Sequence, residues 1–273
     1  MHLTRILGTD PVADAEEEAF VIFSQDIPSQ SLGFIDSQAS TLEITVAGHD
    51  LTIHQSRGLL TSDRKEGTTG AVVWKVTPLF AQWISSPTNF LFANGLLSST
   101  SKVIELGAGV SGIVALTLSP HISHYTATDQ PYVLKLLRQN IAENISTVTP
   151  KSKHKSKNKG KASLEDPIST QVLDWQTSDP THLPAPNLVI ACDCIYNESL
   201  IEPLNSTCAA LCALGEQQST LCLVAQQLRS YDVFEAWLKS FHEKFHVWQV
   251  PDACLDEGLR EGSGFVVHIG VLR

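Results

Sequence analysis

The chain has 273 residues, 42% of them hydrophobic, and a formal charge of −10. That is enough to bury the core of one large α/β domain, or of one domain with an N-terminal elaboration, and the acidic balance argues against a general nucleic-acid binder while suiting a basic partner. The six cysteines show no paired C-x-x-C spacing, which reads as reduced thiols of an intracellular protein and no metal site, and no run approaches the ~18 apolar residues of a membrane span.

In chain order, residues 11–19 are acidic and read as a flexible lead-in or a short helix, followed by a brief apolar run at 20–23. Residues 31–36, 41–46 and 51–55 have the alternation and β-branched content of short strands, with Ala47-Gly48-His49-Asp50 as the hairpin turn between the last two. Residues 1–67 are therefore expected to form an antiparallel, β-rich extension of the same globular unit. After a polar loop, Val72, Val73, Val76, Leu79, Phe80 and Trp83 recur at helical spacing, predicting a helix over 71–84 that Pro78 either kinks or begins. A short helix at 90–97 leads to residues 101–112.

There an apolar run stops at Glu105, glycines occupy 107, 109 and 112, and apolar character resumes over 113–118, the pattern of strand, tight turn and helix. A strand at 125–128 ends on Asp129, and Pro131 opens an amphipathic helix over 132–144. Six lysines then crowd into 151–161. Such a tract cannot offset its ordering by burial, so 149–166 is expected to be a disordered insertion, either simply solvated or docking ribosomal RNA or another acidic partner. Strands follow at 168–173, 187–192, 220–225, 246–250 and 265–272, with helices at 200–214 and 231–245. The prediction is an α/β, doubly wound, mostly parallel seven-stranded sheet over 68–273, with one antiparallel strand near an edge.

Gly107-x-Gly109-x-x-Gly112, with Asp129 beyond it, satisfies the dinucleotide fingerprint. Taken alone, it leaves open an NAD(P)-dependent oxidoreductase or a merely structural turn. Glu105 shifts the balance, because an acid two residues before the first glycine gains nothing from a pyrophosphate but would meet the cationic amino-acid end of S-adenosylmethionine. No Gly-Lys-Ser/Thr follows, which excludes a Walker loop, and Ile113 stands where a hydrolase elbow needs its second glycine.

The chain resembles the seven-β-strand protein-lysine methyltransferases of the methyltransferase-like group, most of all their fungal ribosomal branch, from about Ile44 to the C-terminus. The marks are Ala71-Val72-Val73-Trp74, Glu105-Leu106-Gly107-Ala108-Gly109-x-x-Gly112, Thr128-Asp129, Leu173-Asp174-Trp175 and Asp193-Cys194-Ile195-Tyr196. The last of these matches the group's D-x-x-Y signature. The resemblance implies a class I, Rossmann-like fold and transfer of a methyl group from S-adenosyl-L-methionine to a lysine, on a ribosomal protein or another translation component. By resemblance, Gly107, Ala108, Gly109 and Glu105 lie at the methionine end of the cofactor, Asp129 at the ribose hydroxyls and Trp175 at the adenine. Cys192 would line the pocket floor and Trp74 would close it.

Asp193 and Tyr196 would face the substrate lysine, Asp193 to capture and orient it and Tyr196 to wall its channel. Each has a structural alternative: Trp74, Trp175 and Cys192 as core packing, Asp129 and Asp193 as helix caps. Lys75, where relatives often carry an acid, and the lysine-rich insertion depart from the pattern and leave substrate choice open. A non-catalytic binding module on the same fold is the remaining alternative. A cytoplasmic or nuclear monomer is expected, with a protein as partner and neither DNA nor membrane.

Overall fold

The computed structural model describes residues 2–29, 31–62, 68–149, 166–215 and 219–273. The lysine-rich insertion lies outside the described residues except at its two ends. Helices α1 (His2–Leu7) and α2 (Ala15–Phe23) open the chain. Asp14 caps α2 by accepting from the Glu16 and Glu17 amides, so the acidic stretch enters a helix that also takes in the 20–23 apolar run. Strands β1 (Thr41–Val46) and β2 (His49–His54) form a two-stranded antiparallel sheet. Their turn is only Ala47-Gly48, with φ of 52° and 76°, the double positive φ of a tight hairpin. The strand expected at 31–36 does not form. Ser31 and Gly33 have positive φ, which breaks the extended run, and only a single bridge from Phe34 to Trp74 remains.

After α3 (Arg57–Leu60), the helix expected over 71–84 begins later, as α4 (Val76–Ile84). Residues 72–74 run extended because the Val73 amide donates to Gln55 Oε1 (2.7 Å) while the Val73 carbonyl accepts from Ile35. The Gln55 amide group also donates to the Asp36 and Ala39 carbonyls, so one buried side chain ties together three segments. Pro78 falls in the first turn of α4, where no donor is missed. α5 (Phe90–Ala93) stops earlier than expected, ahead of Gly95 at φ 69°.

The large sheet comprises β3 (Lys102–Leu106), β4 (His124–Asp129), β5 (Ile168–Val172), β6 (Leu188–Cys192), β7 (Leu221–Gln227), β8 (Phe245–Gln249) and β9 (Phe265–Leu272). Its order is β5-β4-β3-β6-β7-β9-β8, with β9 antiparallel to both neighbours. Helices α6 (Ile113–Leu118), α7 (Pro131–Val148), α8 (Ile201–Cys212) and α9 (Tyr231–Lys244) connect the strands. Both faces are covered, which is why β6 is buried at every position and reads as a continuous apolar run. Strands β3, β4 and β5 progress to one side and β6 and β7 to the other, so the carboxyl ends of β3 and β6 flank a topological switch point, where doubly wound sheets bind ligands. Among the described residues no helix is long and apolar enough to cross a membrane.

Two asparagines on α7 attach the hairpin to this sheet. Asn140 accepts from the His54 amide and donates to the His54 and Val110 carbonyls, at 2.9, 2.9 and 2.7 Å. One turn on, Asn144 accepts from the Thr52 amide and donates to its carbonyl, at 2.9 and 2.8 Å. The helix thus completes the open edge of β2 as a strand would, and both side chains are buried. Replacing Asn140 by alanine strands these backbone groups and is expected to destabilise the protein by about 2 kcal/mol. Urea unfolding measures this, and an unchanged midpoint contradicts it.

Candidate active site

Gly107, Gly109 and Gly112, at φ of 66°, 63° and 63°, build the turn from β3 into α6. Gly107 is constrained in space as well, since a Cβ there would lie 2.7 Å from Cys194 Sγ and 3.1 Å from the Trp175 ring. The turn is held by Ala108 N–H to the Thr128 carbonyl (3.0 Å), Val110 N–H to the Gly70 carbonyl (2.9 Å) and Gly109 N–H to Asp129 Oδ2 (2.7 Å). Because Gly70 lies four residues before Trp74, the contact that braces the turn also brings Trp74 to it.

A cleft of about 330 Å³ opens over the turn at the switch point. All the residues singled out from the sequence, Trp74, Glu105, Gly107, Ala108, Gly109, Asp129, Trp175, Cys192, Asp193 and Tyr196, line it. Tyr196 stands at its mouth, 39% exposed, and Cys192 is buried in its floor. The thiols of Cys192 and Cys194 are pushed well above their usual range by burial and stay protonated. Cys194 Sγ donates to the Leu106 carbonyl (3.2 Å) beneath the turn.

Two carboxyl groups in the cleft are held protonated beyond their ordinary range. Burial pushes Glu105 up to about 7, with the Asp129 charge adding to the shift and the Tyr125 hydroxyl opposing it. Desolvation raises Asp129 to about 6 against the amides of Gln130 and Gly109, which favour its ionised form. Glu105 Oε2 has no hydrogen-bond partner.

Asp193 is placed differently from its expected role. Its side chain is only 2% exposed, and both oxygens are engaged by Arg229, Nη1 to Oδ1 and Nη2 to Oδ2, each at 2.7 Å. The Gln227 amide adds a bond to Oδ1 (3.2 Å). Asp193 itself adopts φ 57°, a left-handed conformation costly for a residue with a Cβ. Arg229 lies over the Trp74 ring, 4.8 Å from its centroid, and Phe34 packs against the same ring at 4.6 Å. Sequence reasoning missed Arg229, Gln227 and Phe34. The one available signal was the polar run Gln226-Gln227-Leu228-Arg229 at the carboxyl end of an apolar strand, where doubly wound sheets carry their site residues.

The doubly wound sheet, with β9 inserted antiparallel between β7 and β8 and the cleft at its switch point, accords with the class I, Rossmann-like methyltransferase fold expected from the sequence. Residues 53–243 match the family model described as lysine methyltransferase, well over half of the chain. The chain belongs to that family.

A ribosomal lysine N-methyltransferase 5 of Zygosaccharomyces rouxii is 32% identical over 227 residues, covering 70% of this chain and 70% of that protein. The protein of the same name from Kluyveromyces lactis is 30% identical over 262 residues, covering 77% and 81%. A Schizosaccharomyces pombe protein described as a diaminohydroxyphosphoribosylamino-pyrimidine deaminase is 28% identical over 246 residues, or 86% of this chain. The alignment spans only 53% of that protein, to which the deaminase description belongs.

The raised Glu105 sets a pH dependence for the ligand-free protein. The folded chain keeps this proton after the unfolded chain has lost it, so the associated stability is complete below the ordinary glutamate range and is lost as pH rises through about 7. The thermal midpoint is expected to fall between about pH 5 and about pH 8, more steeply than in Glu105→Gln, where only the Asp129 share remains. Equal slopes in differential scanning fluorimetry would contradict this.

Proposed function

We propose that the cleft binds S-adenosyl-L-methionine and that the protein transfers its methyl group to a lysine side chain of a ribosomal protein. The observation that carries this reading is the unpartnered Oε2 of Glu105, buried and on the lining of the cleft. It provides for a cation at the point where a dinucleotide would bring phosphate, and so disfavours the NAD(P) oxidoreductase. Asp129 retains lone pairs for the two ribose hydroxyls, with Trp175 beside the glycine turn as a flat wall for the adenine. Family membership and the two ribosomal relatives support the substrate class. A cytoplasmic location accords with it.

When bound, the cofactor supplies an electrophilic methyl on a sulfonium, and its leaving thioether needs no proton. The chain's own task is then alignment, which can lower a barrier by about 7–11 kcal/mol, together with supply of the amine in its neutral form. A free lysine, with a pKa of about 10.4, is almost wholly protonated at neutral pH. Trp74 and Tyr196 would wall the lysine channel and exclude water from it, which favours the uncharged amine. Asp193, already paired, positions the channel and does not act as a base.

Tritiated S-adenosyl-L-methionine is expected to label a lysine in ribosomal protein prepared from a strain lacking this chain, as identified by mass spectrometry. Binding of NAD(P) in place of S-adenosyl-L-methionine would overturn the reading, as would labelling of no protein. Calorimetry should also find affinity for S-adenosyl-L-methionine rising as pH increases through about 7, because the ligand's cation favours ionised Glu105. Glu105→Gln is expected to flatten that rise and to weaken binding about tenfold at its upper end.

A further inference from the structure

We infer that Arg229 is a positioning residue that withholds the negative charge of Asp193 from the incoming lysine, so that the amine reaches the methyl donor uncharged. The inference rests on the lysine-methylation reading above. An unpaired carboxylate in the lysine channel would hold the ammonium form and oppose reaction. Here that carboxylate is closed by two parallel 2.7 Å hydrogen bonds from one guanidinium and a third from the Gln227 amide. The charge left facing the cleft wall is thus a compensated pair, and Arg229, 22% exposed, adds a like charge that disfavours a second cation.

Arg229 is fixed from several sides. Nη2 also donates to Gln227 Oε1 (3.0 Å), and the guanidinium lies over Trp74. Behind it sits the backbone of Gly33, where a Cβ would stand 2.6 Å from Nη2 and 2.1 Å from Gln227 Oε1. These contacts, with Asp193 only 2% exposed, distinguish the pair from a surface ion pair. Asp193 holds its left-handed backbone at the same point, as a carboxylate with a dedicated partner and not one waiting for substrate.

The other ionisable groups lining the cleft are Glu105 on β3, Asp129 on β4, Tyr132 on α7, Asp174 after β5, the Cys192 and Cys194 thiols on and after β6, and Tyr196. On the reading above, Glu105 and Asp129 are taken up by the cofactor, and the thiols and the Tyr196 hydroxyl carry no charge near neutral pH. Asp174, whose Oδ1 accepts from the Gln176 amide, adjoins Trp175 on the adenine side, so Asp193 is the carboxylate left beside Tyr196 for the lysine, and Arg229 determines whether it acts.

The experiment follows methyl transfer against pH at saturating tritiated S-adenosyl-L-methionine, with ribosomal protein from the deletion strain as acceptor. It compares the wild type, Arg229→Gln, Asp193→Asn and the double variant. Freed of its partner, Asp193 in Arg229→Gln is expected to move the midpoint of the pH–rate curve up by about one unit, lowering kcat about tenfold at neutral pH while KM stays the same or falls. Asp193→Asn is expected to move it the other way. The double variant leaves no unpaired buried charge and should return toward the wild-type midpoint, which keeps the test open even where Arg229→Gln folds poorly. A lower kcat in Arg229→Gln with an unmoved midpoint would mean a purely structural role, and a double variant displaced as far upward would exclude Asp193 as the cause; either overturns the inference. Failure of the wild type to label lysine would instead overturn the methylation reading and the inference with it.

Discussion

The pair of Asp193 and Arg229 is the interaction on which one side of the cleft depends, the side proposed for the lysine. A lone carboxylate 2% exposed is costly, and a lone guanidinium packed on an indole only slightly less so, which makes each the condition for burying the other. Their bidentate geometry joins the end of β6 to the segment after β7, and Gln227 contributes both its amide and its side chain to the same knot. Trp74 lies against the guanidinium and Phe34 against Trp74, so one ion pair sets the height of two aromatic rings. The left-handed backbone at Asp193 is the local strain this knot sustains.

The side proposed for the cofactor follows the opposite logic. Glu105 and Asp129 are desolvated without a compensating cation, and both are held toward their protonated forms. Such an arrangement lowers the stability of the ligand-free fold at neutral pH, and on the proposed reading a cationic ligand would recover it on binding. The two halves of the cleft therefore differ in how they treat negative charge: one carboxylate pair is left open for a ligand, and one carboxylate is closed by the protein itself. On the proposed reading a neutral amine and a sulfonium cation meet those two environments within one cavity.

Much of this was legible in the sequence, because a parallel sheet buried on both faces writes continuous apolar runs, and a left-handed turn writes glycines. The ends of β1, α6 and β9 follow directly from pattern. The failures share a cause. Residues 72–74 carry helical spacing, yet the Gln55 side chain holds them extended; residues 31–36 alternate like a strand, yet Ser31 and Gly33 turn the chain back on itself. In both cases a side-chain or backbone contact distant in sequence outweighs local preference, as it does where Asn140 and Asn144 complete a strand edge from within a helix. Arg229 was invisible for the same reason, since nothing in its spacing from Asp193 marks a pair that forms only when β6 and β7 lie side by side.

The consequence for specificity lies in where the knot is closed. The stretch matched by the lysine methyltransferase family begins at residue 53 and contains the glycine turn, Glu105, Asp129, Asp193 and Arg229. Gly33 and Phe34 precede it. Gly33 leaves no room for a side chain against Arg229, and Phe34 fixes the outer face of Trp74, while Lys75 N–H donates to the Gly33 carbonyl at 2.8 Å and Ile35 N–H to the Val73 carbonyl at 3.1 Å. This segment is thus hydrogen-bonded to the residues on either side of Trp74, which walls the lysine channel in the proposed reading. Exposed Leu32 and Ile35 flank those contacts. On the proposed reading the sheet carries the cofactor residues, and the wall that a substrate would meet is shaped in part by a loop that local sequence pattern assigns to the wrong structure.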